Sequence, residues 1–141
     1  MSFYTDWFIA EEAEAENLAT SGSPYIEWPS LSLKGIGEID LMALWALLRG
    51  QKEDSAEEVS KELLFQGSEQ GPFIVRVAPG FIELLSLVSD AHRSEIANAW
   101  SQSDGLIGLE SSNVIEIVIQ LSDFARRSRR DSKPILGMFA L

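Results

Sequence analysis

The chain holds one histidine, His92, in the stretch Ser89-Asp90-Ala91-His92-Arg93. An imidazole is the side chain best suited to passing protons near neutral pH, so His92 is the first candidate for acid–base chemistry. Serines and aspartates are plentiful enough for a Ser-His-Asp arrangement. The Gly-x-Ser-x-Gly elbow that would expose such a serine is missing, and abundance alone carries no argument. Metal centres draw on several histidines, cysteines or grouped carboxylates; here there is no second histidine, no cysteine and no His-x-x-x-His spacing. The sequence therefore predicts an exposed or capping His92 between two helices. It assigns no catalytic residue, no metal ligand and no cofactor.

Carboxylates are the other groups able to move protons. Glu11, Glu12, Glu14 and Glu16 form a run, but on a helix they mostly face water as solvated charges. A catalytic pair needs burial or a close partner to split its pKa values, which no sequence shows. Asp104, Glu110 and Glu116 stand in no calcium-loop pattern.

The segment Glu27-Trp28-Pro29-Ser30-Leu31-Ser32-Leu33-Lys34-Gly35-Ile36-Gly37 mixes an aromatic with glycines. Gly35 and Gly37 match the first two glycines of a dinucleotide fingerprint, yet Asp40 falls where the third belongs. A carboxylate there repels pyrophosphate, and Lys34 precedes the glycines instead of following them. The favoured expectation is structural: the glycines turn the backbone and Asp40 caps a helix. Asp40 is kept as a ligand candidate. Trp28 either packs in a core or presents an aromatic to a partner, as tryptophans at binding hot spots do. Packing is favoured, and Trp28 is kept as a partner-binding candidate.

Charge narrows the partners. The net charge is −11; residues 1–70 hold 14 acidic and 4 basic side chains, and residues 71–141 hold 8 and 7. An acidic field repels phosphate backbones, so nucleic acid is a poor partner; the charge favours a basic protein partner, but solubility is the favoured reading of the two. The exception is Arg126-Arg127-Ser128-Arg129-Arg130, which lacks the interleaved aromatics of a nucleic-acid patch. It suits the negative end of a helix dipole or an intramolecular partner.

Elements must position these groups. At 141 residues, 45% hydrophobic and 23% charged, the chain suits one ordered domain, residues 1–141. Phe3 to Ile9 predicts a strand, and Glu11 to Leu18 a helix broken at Thr20-Ser21-Gly22-Ser23-Pro24. Leu41 to Leu48 predicts a largely buried helix with Asp40 as N-cap and Gly50 just past its end. Gln51 to Glu58 reads as polar and exposed, and Glu57 to Phe65 as helix or strand. Phe73 to Val77 predicts a strand, Phe81 to Val88 a helix opened by Pro79, and Ser94 to Trp100 another, capped by Ser94 or Asp90. Val114, Ile117, Val118, Leu121, Phe124 and Ala125 share one face of a long helix from Ser112. Ile135 to Leu141 closes as a strand. The expected fold is α+β: a small antiparallel or mixed sheet packed by several helices. With an acidic N-terminal stretch and no long apolar run, a cytoplasmic bacterial protein without membrane association is expected.

The blocks EWPSLSLKG, DLMALWALLRG and GPFIVRVAP, with the closing KPILGMFAL, resemble small uncharacterised bacterial proteins that carry a Trp-Pro/Leu-Lys-Gly block. The resemblance implies a compact α+β cytosolic domain and brings no activity and no site residues with it.

These features make a non-enzymatic protein–protein interaction module the leading expectation, immunity-like or regulatory. The alternative is a small-molecule binder or small enzyme with a pocket between sheet and helices, using Trp28, His92 and a carboxylate such as Asp40. A homo-oligomer joined partly through the Val114–Phe124 face is a third.

Overall fold

The computed structural model describes residues 5–33, 35–50, 57–103, 106 and 108–141. The expected strand start at Phe3 and Lys34 fall outside them, as do Asp104 and most of the polar run from 51.

Five strands form one antiparallel sheet: β1 (Asp6–Ile9), β2 (Ser30–Ser32), β3 (Ser60–Gln66), β4 (Phe73–Val77) and β5 (Ile135–Phe139), in the order β2-β1-β5-β4-β3. Among the described residues six α-helices accompany it: α1 (Ala15–Thr20), α2 (Pro24–Glu27), α3 (Glu38–Leu48), α4 (Pro79–Ser86), α5 (Arg93–Trp100) and α6 (Ser111–Asp131). The fold is α+β, with every strand pair antiparallel.

Alternation along the strands separates two unequal layers, because successive side chains leave opposite faces. Trp7, Ile9, Val77 and Ile135 enter the larger core with α3, α4, α5 and α6. Phe8, Ala10, Ile74 and Leu136 face the other way, covered by Ala15 and Leu18 of α1 and by Trp28. The thick side is organised by aromatics: Phe81 meets Trp7 edge-on at 6.1 Å and Trp45 at 5.7 Å. Trp100 is fully buried, and its indole N–H donates to the Asp40 carbonyl at 2.9 Å, so the polar tip is satisfied within the core.

The long helix runs as its spacing predicts, with Val114, Val118, Leu121, Phe124 and Ala125 all buried. Most of that face packs into the chain's own core, with Ile117 half-buried beside it. Ser132, at φ 56°, turns the chain out of the helix. Arg126 donates to the carbonyls of Ser86, at 3.2 Å, and of Val88, closing the C-terminal end of α4. The cluster's first arginine is thus an internal clamp.

Several expectations are corrected. Asp40 is not the N-cap of α3: Gly37 is, and Asp40 sits at the third helical position, accepting the Gly37 N–H at 2.9 Å. Gly50, at φ 70°, does occupy the residue past the Arg49 C-cap. Neither Ser94 nor Asp90 caps α5. A 3-10 turn, Asp90–His92, precedes it, and Asp90 instead pairs with Arg93 at 3.4 Å. The ambiguous stretch ending at Phe65 is the strand β3. Pro24 does not merely break a helix; it opens α2, in the first turn where its missing N–H costs nothing.

Candidate protein-docking face

The thin side of the sheet carries the most exposed large apolar side chain among the described residues, Ile26, close to acidic groups; Ile39 of α3 is next, at 80%. α2 is a single turn, too short to turn every side chain inward. Its Ile26 is 86% exposed and Tyr25 55% exposed. The turn is nonetheless anchored. The Tyr25 ring lies 5.3 Å from that of Phe8, and its hydroxyl donates to Asp6 Oδ2 at 2.5 Å. That hydrogen bond, followed by partial burial and the negative charge of Asp6, pushes the Tyr25 phenol up to about 12. At the other end of the turn, Glu27 Oε2 accepts the Ser21 hydroxyl at 2.5 Å. The Trp28 N–H donates to the Pro24 carbonyl at 3.1 Å, closing α2.

Trp28 is half-buried, and its indole N–H donates to Glu14 Oε2 at 3.1 Å. The backbone N–H of Glu11 donates to Glu14 Oε1 at 3.0 Å. Glu14 is held below its ordinary value, first by the Glu11 N–H and then by the Trp28 indole. Partial burial opposes this, and the charge of Lys133 adds to it. Trp28 therefore joins α2 to the turn before α1 and closes the smaller core. Glu11, Glu12 and Glu16 are exposed, as the sequence predicts.

The three residues singled out from sequence do not converge. Trp28 belongs to the thin side. Asp40 lies in the first turn of α3 on the thick side, its carboxylate occupied by the N–H of the Gly37 cap. His92 is exposed, paired through Nδ1 with the Ser89 hydroxyl at 2.6 Å, and lines a groove of about 210 Å³ with Leu48 and Leu84. Leu48 lies eight residues along α3 from Asp40, roughly 12 Å at 1.5 Å per residue, so Asp40 and His92 stand at opposite ends of that helix. Among the described residues no group of three or more His, Cys, Asp or Glu is placed to hold a metal ion.

The glycine loop is likewise occupied by the fold. Gly35 takes φ 85°, which favours glycine. Ile36 is buried, and its N–H donates to the Leu33 carbonyl at 3.0 Å. With the Gly37 N–H held by Asp40, the described part of the loop presents no row of free amides to a phosphate. Tyr25 and Ile26 carried no sequence motif. The one signal was an apolar pair in a short acidic, Ser/Gly/Pro-bounded segment, where a turn cannot bury both. No protein-family profile, curated protein or solved structure matches this chain. Among the described residues no helix is long and apolar enough to cross a membrane.

Proposed function

We propose that this is a non-enzymatic interaction module that docks a basic protein through the α2 face. The carrying observation is the anchored turn itself: exposed Ile26 and Tyr25 bounded by the carboxylates of Asp6 and Glu27. An apolar centre with charged surroundings is the arrangement of a binding patch, and a pre-anchored turn loses little freedom on binding. Charge complementarity selects the partner, since the first 70 residues hold 14 acids against 4 bases. Strand addition is a less suitable route. The edge strand β3 carries Lys61 and Glu62 and two register shifts, and the edge strand β2 spans only three residues. An immunity-like or regulatory protein that masks a basic partner fits this surface, and a cytosolic bacterial setting fits the sequence resemblance.

Affinity capture from a bacterial lysate at low and high salt, with wild type and Ile26→Glu side by side, tests the proposal. The captured protein is then purified and its Kd measured against both. We expect a basic partner whose affinity falls at least about tenfold with Ile26→Glu, the loss of a modest hot spot, and falls again with salt. Equal binding by Ile26→Glu, or the absence of any salt-sensitive partner, overturns the proposal. Ile26 is almost fully exposed, so the variant keeps its fold.

A further inference from the structure

A groove of about 380 Å³ opens between α4, the C-terminal end of α6 and the sheet. Its floor is apolar, formed by Val77, Ile82 and Ile135 with Pro79 and Pro134. Its rim carries Arg129, Lys133 and Glu83. This volume lies within the range of small-molecule sites, roughly 300–1,000 Å³.

The cations give the groove its chemistry. Among the described residues, Arg49, Lys61, Arg76, Arg93, Arg126, Arg127 and Arg130 each have a carboxylate within 4 Å. Arg129 and Lys133 are the two described basic side chains without one, and both line this groove. In a chain of net charge −11, two cations left over beside one apolar floor mark a place for an anion.

The cations are also positioned. Arg129 Nη1 donates to the Ser86 hydroxyl at 3.0 Å, which leaves further guanidinium N–H groups free. The turn bearing Lys133 is tied twice to α6. The Lys133 N–H donates to the Ser128 carbonyl at 3.1 Å, and the Ser128 hydroxyl donates to the Lys133 carbonyl at 2.5 Å. The Ser132 N–H donates to the Arg129 carbonyl at 3.1 Å, so two of the helix-end acceptors, the Ser128 and Arg129 carbonyls, are already occupied. Glu83 pairs with neither cation. Its charge disfavours a dianion more than a monoanion, which favours a monocarboxylate over a dicarboxylate or the phosphate dianion.

We propose that this groove binds a small organic monocarboxylate with an apolar body, its carboxylate between Arg129 and Lys133 and its hydrocarbon part against Pro79 and Pro134, over the buried Val77, Ile82 and Ile135. The groove shares no lining residue with the α2 face, although the charge of Lys133 also reaches Glu14, which holds Trp28 beside α2.

Amide-resolved NMR titration and calorimetry with isovalerate test the proposal, with isoamyl alcohol as its uncharged counterpart and inorganic phosphate as an anion without an apolar body. We expect saturable shifts at Val77, Glu83 and Ile135 with isovalerate. Affinity should be at least about tenfold weaker for the alcohol and for each of Arg129→Gln and Lys133→Gln, as the loss of a charged hydrogen bond implies. Absence of saturable shifts overturns the proposal, as does alcohol binding equal to isovalerate or phosphate binding at least as tight. The ligand comparison in wild type decides the question even where a variant misfolds.

Discussion

Glu38 offers the sharpest test of how the two halves of the chain are joined. It opens α3, and its Oε1 accepts the backbone N–H groups of both Val59 and Ser60 at 2.8 Å, while Oε2 accepts the Ser60 hydroxyl at 3.1 Å. One carboxylate thus fixes the start of the edge strand β3 against the helix N-terminus. In Glu38→Ala the Val59 N–H, on a residue 1% exposed, is left without an acceptor, a loss of about 1–3 kcal/mol. Ser60 is half-buried and partly resolvated, adding about 0.5–1.5 kcal/mol. The gain in helix propensity and the loss of an acid at the positive helix end nearly cancel. The expected destabilisation is therefore about 2–4 kcal/mol, or a fall in Tm of roughly 6–12 °C for a domain of this size. Glu38→Gln keeps a neutral acceptor and should lose less than half as much. Thermal melts supply the totals, and hydrogen exchange at Val59 and Ser60 localises them. An Ala variant that melts with wild type, with both amides still protected, would show that this carboxylate does not hold β3.

Two further outcomes follow from the packing and from Tyr25. Trp45→Ala and Phe124→Ala remove side chains 6% and 8% exposed from the larger core and should each destabilise by about 3–5 kcal/mol in chemical denaturation. Trp45 should lie toward the upper end, because Arg49 and Lys61 also stand over its ring at 4.7 and 5.3 Å; unchanged midpoints would refute the core assignment. Ultraviolet titration of tyrosinate should show Tyr25 ionising near pH 12, moving toward the ordinary value in Asp6→Asn. Because the folded pKa is the raised one, this pair's contribution is fully present below the ordinary pH 10 and is lost as pH rises through about 12. A wild-type titration at the ordinary value contradicts the Tyr25–Asp6 bond.

What the sequence disclosed tracks the length and regularity of each pattern. The spacing from Val114 to Ala125 repeats over three turns and identifies α6. Leu41 to Leu48 is so uniformly apolar that its burial follows without any periodicity. β3 stayed ambiguous because register shifts between Ser60 and Glu62, and between Leu63 and Phe65, break the period-two alternation. β2 is three residues long and α2 four, below the length at which a period can be seen. Asp40 was placed at the right helix end but not at the right position, since glycine can occupy a cap and let an acid three residues on satisfy its N–H. Trp28 stood out by type, and its packing depends on Glu14 and on the strand β1 beneath it. The two cations without a carboxylate within 4 Å could not be found from sequence at all. Arg129 sits in a run of four arginines, and only the fold shows that Arg126, Arg127 and Arg130 have carboxylate partners while Arg129 does not.

The α2 face and the groove also differ in how salt should act on them, which separates the two proposals in one experiment. A basic protein approaching residues 1–70 is drawn in by a field that extends over a Debye length, about 30 Å at 0.01 M salt and about 3 Å at 1 M. Raising salt across that range removes the steering and lowers the association rate by roughly 10- to 1,000-fold. A monocarboxylate in the groove meets opposing effects. The same overall negative charge repels it at long range, and salt relieves that repulsion; the contact with Arg129 and Lys133 acts at hydrogen-bond distance, inside even the shortest of those lengths. Docking should therefore weaken steeply with salt while isovalerate binding changes little. A steep salt loss in the groove would mean that the ligand is held by the general field of the arginine-rich helix end, without the close contact that Arg129 and Lys133 provide.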